Sequence, residues 1–76
     1  MKKHISLSAI EKIAKKSGVE RISHDGLIKM RNLVEDYAVK ISKDAVKMAK
    51  HAGRKTVRGG DIRFGEIIQT SLKYTS

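Results

Sequence analysis

Apolar residues at Leu27, Met30, Val34, Tyr37, Ala38, Ile41, Ala45, Met48, Ala49 and Ala52 recur in steps of three and four. That is the helical period, sustained for about seven turns, with no Gly or Pro after Gly26 to interrupt it. The pattern predicts one long central helix between Ser23 and Gly53. Ser23 is a good N-cap, Asp25 places negative charge in the first turn, and Lys47, Lys50 and His51 cluster before the terminating Gly53. At about 1.5 Å per residue the helix is about 40 Å long, wider than a globule of this size. Its own chain cannot wrap it, so a second surface must cover it.

Shorter apolar stripes flank it. Leu7, Ile10, Ile13 and Ala14 predict a first helix opening at Ser6 or Ser8, where Ser8 and Glu11 have capping-box spacing, and ending at Gly18. Ile62, Phe64, Ile67, Ile68 and Leu72 predict a third helix from near Gly59–Asp61 to about Lys73. Gly59 and Gly60 are poor helix formers, so that end is expected to fray or to form a tight cap. The spacing of Arg31–Glu35, Asp36–Lys40 and Lys40–Asp44 suggests i,i+4 ion pairs on solvent faces. A basic arm at residues 1–4, one domain over 5–73 and a tail at 74–76 complete the expected organisation.

The two connectors echo each other. Ser17-Gly18-Val19-Glu20-Arg21-Ile22-Ser23 and Ala52-Gly53-Arg54-Lys55-Thr56-Val57-Arg58 are displaced by 35 residues. Each has a C-cap glycine, two variable residues, a polar residue and then a β-branched one suited to a brief extended segment. Two such single segments cannot form a stable sheet alone. Pairing the first connector of one copy with the second connector of another answers both this problem and the uncovered helix. The pattern therefore predicts an all-α intertwined dimer.

Composition narrows the partners. Apolar residues make up 39% of the chain but aromatics only 4%, so the core must be aliphatic. No cysteine is present to staple it. A net charge of +9, from 17 Lys and Arg against 8 Asp and Glu, points to a polyanion: nucleic acid first, an anionic membrane surface second. No apolar run reaches the roughly 18 residues of a membrane span, and the lysines are spread over several faces without an aromatic anchor opposite. No signal peptide is discernible, so a cytoplasmic location is expected. His4, His24 and His51 lack metal-ligand spacing, no acid pair suits general acid–base work, and Gly59-Gly60 is no nucleotide loop. Neither enzyme chemistry nor a metal or other cofactor is expected.

Ala49-Lys50-His51-Ala52-Gly53-Arg54-Lys55-Thr56-Val57 with Asp61-Ile62, together with Gly18-Val19-Glu20-Arg21-Ile22-Ser23, resembles the archaeal-type histones. The resemblance covers about residues 5 to 68. It implies the histone fold, a short, a long and a short helix in obligate dimers that bind duplex DNA with little sequence preference. By that resemblance Arg21 is the loop arginine that enters the minor groove, Thr56 the threonine beside it from the partner chain, and Lys55 a phosphate-contacting lysine. Arg54 and Asp61 would form a structural ion pair bracketing the second loop, while Met48, His51 and Asp61 would lie at a dimer–dimer contact. Lys12 and Lys15 match basic first-helix positions near DNA. A lysine row such as Lys12, Lys15 and Lys16 is otherwise usually just a solvated face. Arg54 and Ser23, as loop residues, join the expected DNA-binding set.

The function expected from this reading is that of a chromatin protein in the nucleoid. Its homodimers, alone or with other histones, would bend or wrap DNA and compact it by stacking. Two alternatives stay open: a dimer that bends or bridges DNA without continuous wrapping, and a heterodimeric scaffold of the kind found in transcription factors. Lys40, where the resembled family usually has an acidic residue, and the unaligned chain after Ile68 keep the first of these in play.

Overall fold

The computed structural model describes residues 4–74, and among them it has three helices and no strand. They are α1 (Leu7–Lys16), α2 (His24–His51) and α3 (Gly59–Tyr74). The fold class is all-α, as the apolar periods require. Of the expected basic arm, residues 1–3 lie outside the described residues, as do 75 and 76 of the expected tail. Tyr74 is the last residue of α3. The chain divides into two compact units, one ending at Asp36 and the other beginning at Tyr37, with α2 contributing to both.

In the first unit α1 opens at Ser6, whose extended backbone turns its Oγ to accept from the Ala9 amide at 3.1 Å. The Ser8–Glu11 capping box does not form. Starting the helix at Ser8 would drop half-buried Leu7 from the apolar stripe, so the earlier serine caps instead. Glu11 lies 3.8 Å from Lys15 one turn on. At the other end Gly18 has φ +98°, its amide bonds the Lys15 carbonyl at 3.1 Å, and the Val19 amide bonds the Ala14 carbonyl at 3.2 Å. This pair of reverse bonds is the Schellman closure, which needs a left-handed residue and hence glycine. Ser23 then caps α2, its Oγ accepting from the Gly26 amide at 3.2 Å.

The second unit repeats the construction. Gly53 has φ +74°, its amide bonds the Lys50 carbonyl at 2.9 Å, and the Arg54 amide bonds the Ala49 carbonyl at 2.9 Å. The echo extends to burial. The fully buried apolar residues among those described are Ile10, Ala14, Ala45 and Ala49. Ile10 and Ala14 correspond to Ala45 and Ala49 under the same 35-residue displacement. Each unit thus centres on a short buried pair one turn before a Schellman glycine.

Within the second unit α3 approaches α2 closely at Gly65. A Cβ there would stand 2.6 Å from the Ile41 carbonyl oxygen, so only glycine permits the contact. Gln69 Nε2 donates to Asp44 at 2.9 Å a turn later. Large apolar side chains remain exposed through both units, Leu33 (57%), Ile13 (56%), Val39 (51%) and Ile67 (50%) among them.

Of the expected i,i+4 pairs on α2, none forms among the described residues. Glu35 turns from Arg31 to accept from the Ile5 amide and from His4 Nδ1, each at 2.7 Å. A bidentate hold on an amide and an imidazole outweighs one solvated ion pair. Arg31 bonds Asn32 Oδ1 through Nε and Nη2, each at 3.3 Å. His4, expected in a flexible arm, is therefore anchored.

Candidate nucleic-acid interface

The expected DNA-binding residues fall on the two connectors and on α1. In the first unit Arg21 is exposed in the loop between Gly18 and Ser23, while Lys12, Lys15 and Lys16 are exposed on α1. Lys15 shares a long surface pair with Glu11, with both side chains well solvated, and such a pair does little to neutralise it. Ser23 keeps its hydroxyl hydrogen free for another acceptor, because its bond to Gly26 uses only the oxygen lone pair.

The second connector is braced from within. Arg54 Nη1 donates to Asp61 Oδ2 at 2.8 Å and Nη2 to Asp61 Oδ1 at 3.0 Å, a bidentate fork. Nη1 also donates to the Thr56 carbonyl at 2.9 Å, so the same guanidinium fixes the loop backbone. The Arg58 amide donates to Asp61 Oδ2 at 2.8 Å, the half of a capping box that a third-position carboxylate supplies. That bond secures the start of α3 despite Gly59 and Gly60, giving the tight cap rather than the frayed end. With these partners Asp61 is only 3% exposed. Hydrogen bonds from Arg54 first and the Arg58 amide second, opposed by burial, hold its carboxyl down at about 2. Arg54 is correspondingly raised, chiefly by its bond to Asp61. The pair stays ionised across the physiological range and leaves Lys55, Thr56, Val57 and Arg58 exposed on a fixed loop.

Met48 and His51 lie on an open groove of about 310 Å³ lined also by Asp44, Lys47, Phe64 and Ile68. Met48 is 39% and Phe64 37% exposed there. Asp61, expected beside Met48 and His51, is not among the lining residues, and its carboxylate is committed to Arg54 and Arg58. The apolar periods and cap signals single out neither Gly65 nor the Gln69–Asp44 bond. A lone glycine inside an otherwise helical pattern is the signal that marks a close backbone approach, whereas the Gln69–Asp44 pair has no local signature.

Residues 4–64 match the family described as histone-like transcription factor (CBF/NF-Y) and archaeal histone. The chain belongs to this family. It is 37% identical over 60 residues to one of the subunits of archaeal histone HAN1 from Thermococcus zilligii, spanning 79% of this chain and 90% of that one. It is 36% identical over 52 residues to probable archaeal histone 3 of Methanocaldococcus jannaschii, spanning 68% and 78% respectively. Histone H4 of Dictyostelium discoideum is 34% identical over 60 residues, which make up 79% of this chain and 56% of the relative. The three helices are thus a histone fold, and the histone family is one of DNA-binding, chromatin-associated and non-enzymatic proteins. The family match ends at residue 64, while α3 continues for ten residues to Tyr74. No helix among the described residues is long and apolar enough to cross a membrane.

Proposed function

We propose that this histone acts as a homodimer that binds duplex DNA with little sequence preference and bends or wraps it, compacting the chromosome in the nucleoid. The observation that carries the reading is the repeated loop construction. Two Schellman-closed connectors, one at either end of α2, leave Arg21 and Lys55–Thr56 exposed on ordered backbone. Homodimerisation is supported by the large apolar side chains left exposed in the single chain, which among the described residues far outnumber the four fully buried apolar ones.

In the dimer the first connector of one protomer lies beside the second connector of the other. Lys55, the Thr56 hydroxyl and the Ser23 hydroxyl take phosphate oxygens, and Arg21 enters a compressed minor groove where negative potential is greatest. Lys12, Lys15 and Lys16 extend the phosphate contacts. Arg54 contributes through the loop it braces. Affinity comes from neutralised phosphates and falls steeply with salt; any preference reflects how readily the duplex bends.

The groove at Met48 and His51 joins dimers along the DNA, with Asp61 contributing through the α3 cap it holds. Micrococcal nuclease digestion of reconstituted complexes is expected to leave a protected ladder, and a single tethered duplex to shorten. Joining of two duplexes without a ladder would favour bridging and sink the wrapping step.

A second reading is hetero-pairing with another histone. It is favoured by the Thermococcus zilligii relative, whose name makes it one of several subunits, and by a family that includes transcription factors. Static light scattering of the isolated chain separates the two. A dimer supports the homodimer, and a monomer or aggregate supports the heterodimer.

A further inference from the structure

Glu35 on α2 holds the chain ahead of α1 at two points. One carboxylate oxygen accepts from the Ile5 amide and the other from His4 Nδ1, each at 2.7 Å. The His4 bond first and the Ile5 bond second keep the carboxyl below its usual 4.5, so the clasp is charge-assisted at neutral pH. Nothing in α1 itself calls for this hold. Ser6 already caps the helix, and Ile10 and Ala14 already bury its apolar side. The clasp reaches past both to fix backbone that leads directly to Lys3 and Lys2 in the chain. Consecutive Cα atoms are about 3.8 Å apart, so the Cα of Lys2 stays within roughly 8 Å of that of His4. On the other side of the same fixed point, Lys12 and Lys15 are exposed on α1.

We propose that Glu35 is a positioning residue for DNA binding: its clasp on His4 and Ile5 holds Lys2 and Lys3 where they extend the phosphate contacts of Lys12 and Lys15 past the start of α1. This role rests on the DNA-binding reading above and adds to it a residue that touches no phosphate itself. Lysines on an untethered chain end lose conformational freedom when they settle on phosphates. Backbone already fixed beside them reduces that loss and raises their effective concentration at the duplex. On its own an acid beside a DNA surface repels the duplex, so Glu35 favours binding only through the lysines it holds. Every group of the clasp belongs to one protomer, and the hold is a pair of bonds rather than an exposed face. It therefore does not depend on which surfaces a second copy covers.

A double-mutant cycle tests this on the full-length chain, with a mixed-sequence duplex titrated across a salt series. Lys2→Gln and Lys3→Gln are introduced together into the parent, into Glu35→Gln and into His4→Ala, each chain being shown to fold by circular dichroism. In the parent the lysine pair is expected to cost about tenfold in affinity and to make the salt slope shallower by about two. In Glu35→Gln and in His4→Ala the same pair should cost about threefold or less, because the lysines are no longer held. The charge removed at Glu35 is common to both arms of the cycle and cancels. Plain competition between Glu35 and DNA for the lysines has the opposite sign, since removing the acid then raises their cost. An equal or larger cost in Glu35→Gln would overturn the proposal, as would no cost in the parent. Arg21→Ala, run alongside, separates the two levels. If it weakens binding while the lysine cost is the same in every background, the clasp alone is refuted. If neither Arg21→Ala nor the lysine pair weakens binding, the DNA-binding reading falls with it.

Discussion

Asp61 grips Arg54 with both carboxylate oxygens, at 2.8 and 3.0 Å, while the same arginine holds the Thr56 carbonyl at 2.9 Å. One ion pair therefore ties the start of α3 to the loop that exposes Lys55 and Thr56. The link has a pH signature. Asp61 titrates at 3.8 when unperturbed and at about 2 in the fold, so its contribution is complete above the unfolded value and fades as pH falls toward 2. Asp61→Asn is expected to lower the melting temperature by a constant amount above about pH 5, the gap narrowing on acidification. Melts at fixed chain concentration check this, and a gap independent of pH down to 2 would show that the carboxylate charge is not what braces the loop.

Two glycines on α3 should respond in opposite directions to alanine. At Gly65 the new methyl would meet the Ile41 carbonyl oxygen at 2.6 Å, so backbone must move and stability falls. At Gly60 nothing lies within 4 Å, and the substitution gains helix propensity worth up to about 1 kcal/mol. Chemical denaturation of both variants distinguishes packing from propensity. A loss at both positions would mean that the α3 start tolerates no added ordering.

The fate of these glycines shows what was legible in the sequence. Apolar periods give all three helices, and the Gly18 and Gly53 echo announces two like-built turns, because caps and stripes are set by residues within a few positions. Ile10, Ala14, Ala45 and Ala49 all lie on the stripes read from sequence. The contacts that escaped, Gln69 with Asp44 and Glu35 with His4, join residues 25 and 31 apart. Spacing suggested Lys40 and Arg31 as their partners. A long side chain chooses among all acceptors within reach, and a buried or bidentate arrangement outcompetes a solvated neighbour on the same helix. Ser6 displaced Ser8 as the cap for a related reason, since keeping Leu7 in the apolar stripe decided where α1 starts.

Glu35 is expected to tether the N-terminal segment through Ile5 and His4. Its carboxyl is held below the usual 4.5, mainly by the bond from His4 and then by the Ile5 amide. The stabilisation is therefore present above that value and lost as pH falls through the lowered one. Glu35→Gln should speed hydrogen exchange at the Ile5 amide while leaving exchange at Ala45 and Ala49 unchanged. Unaltered exchange at Ile5 would remove the tether from the account.

DNA recognition through the connectors is probed most directly at Arg21, which is exposed and carries no cap or brace. The decisive measurement is duplex affinity of Arg21→Ala across a salt series, paired with its melting temperature. The expected result is a melting temperature close to that of the parent and weaker binding to every duplex sequence, with a salt slope shallower by about one counterion per site. Unchanged DNA affinity in a folded variant, or an unfolded chain, would contradict the assignment of this loop to DNA.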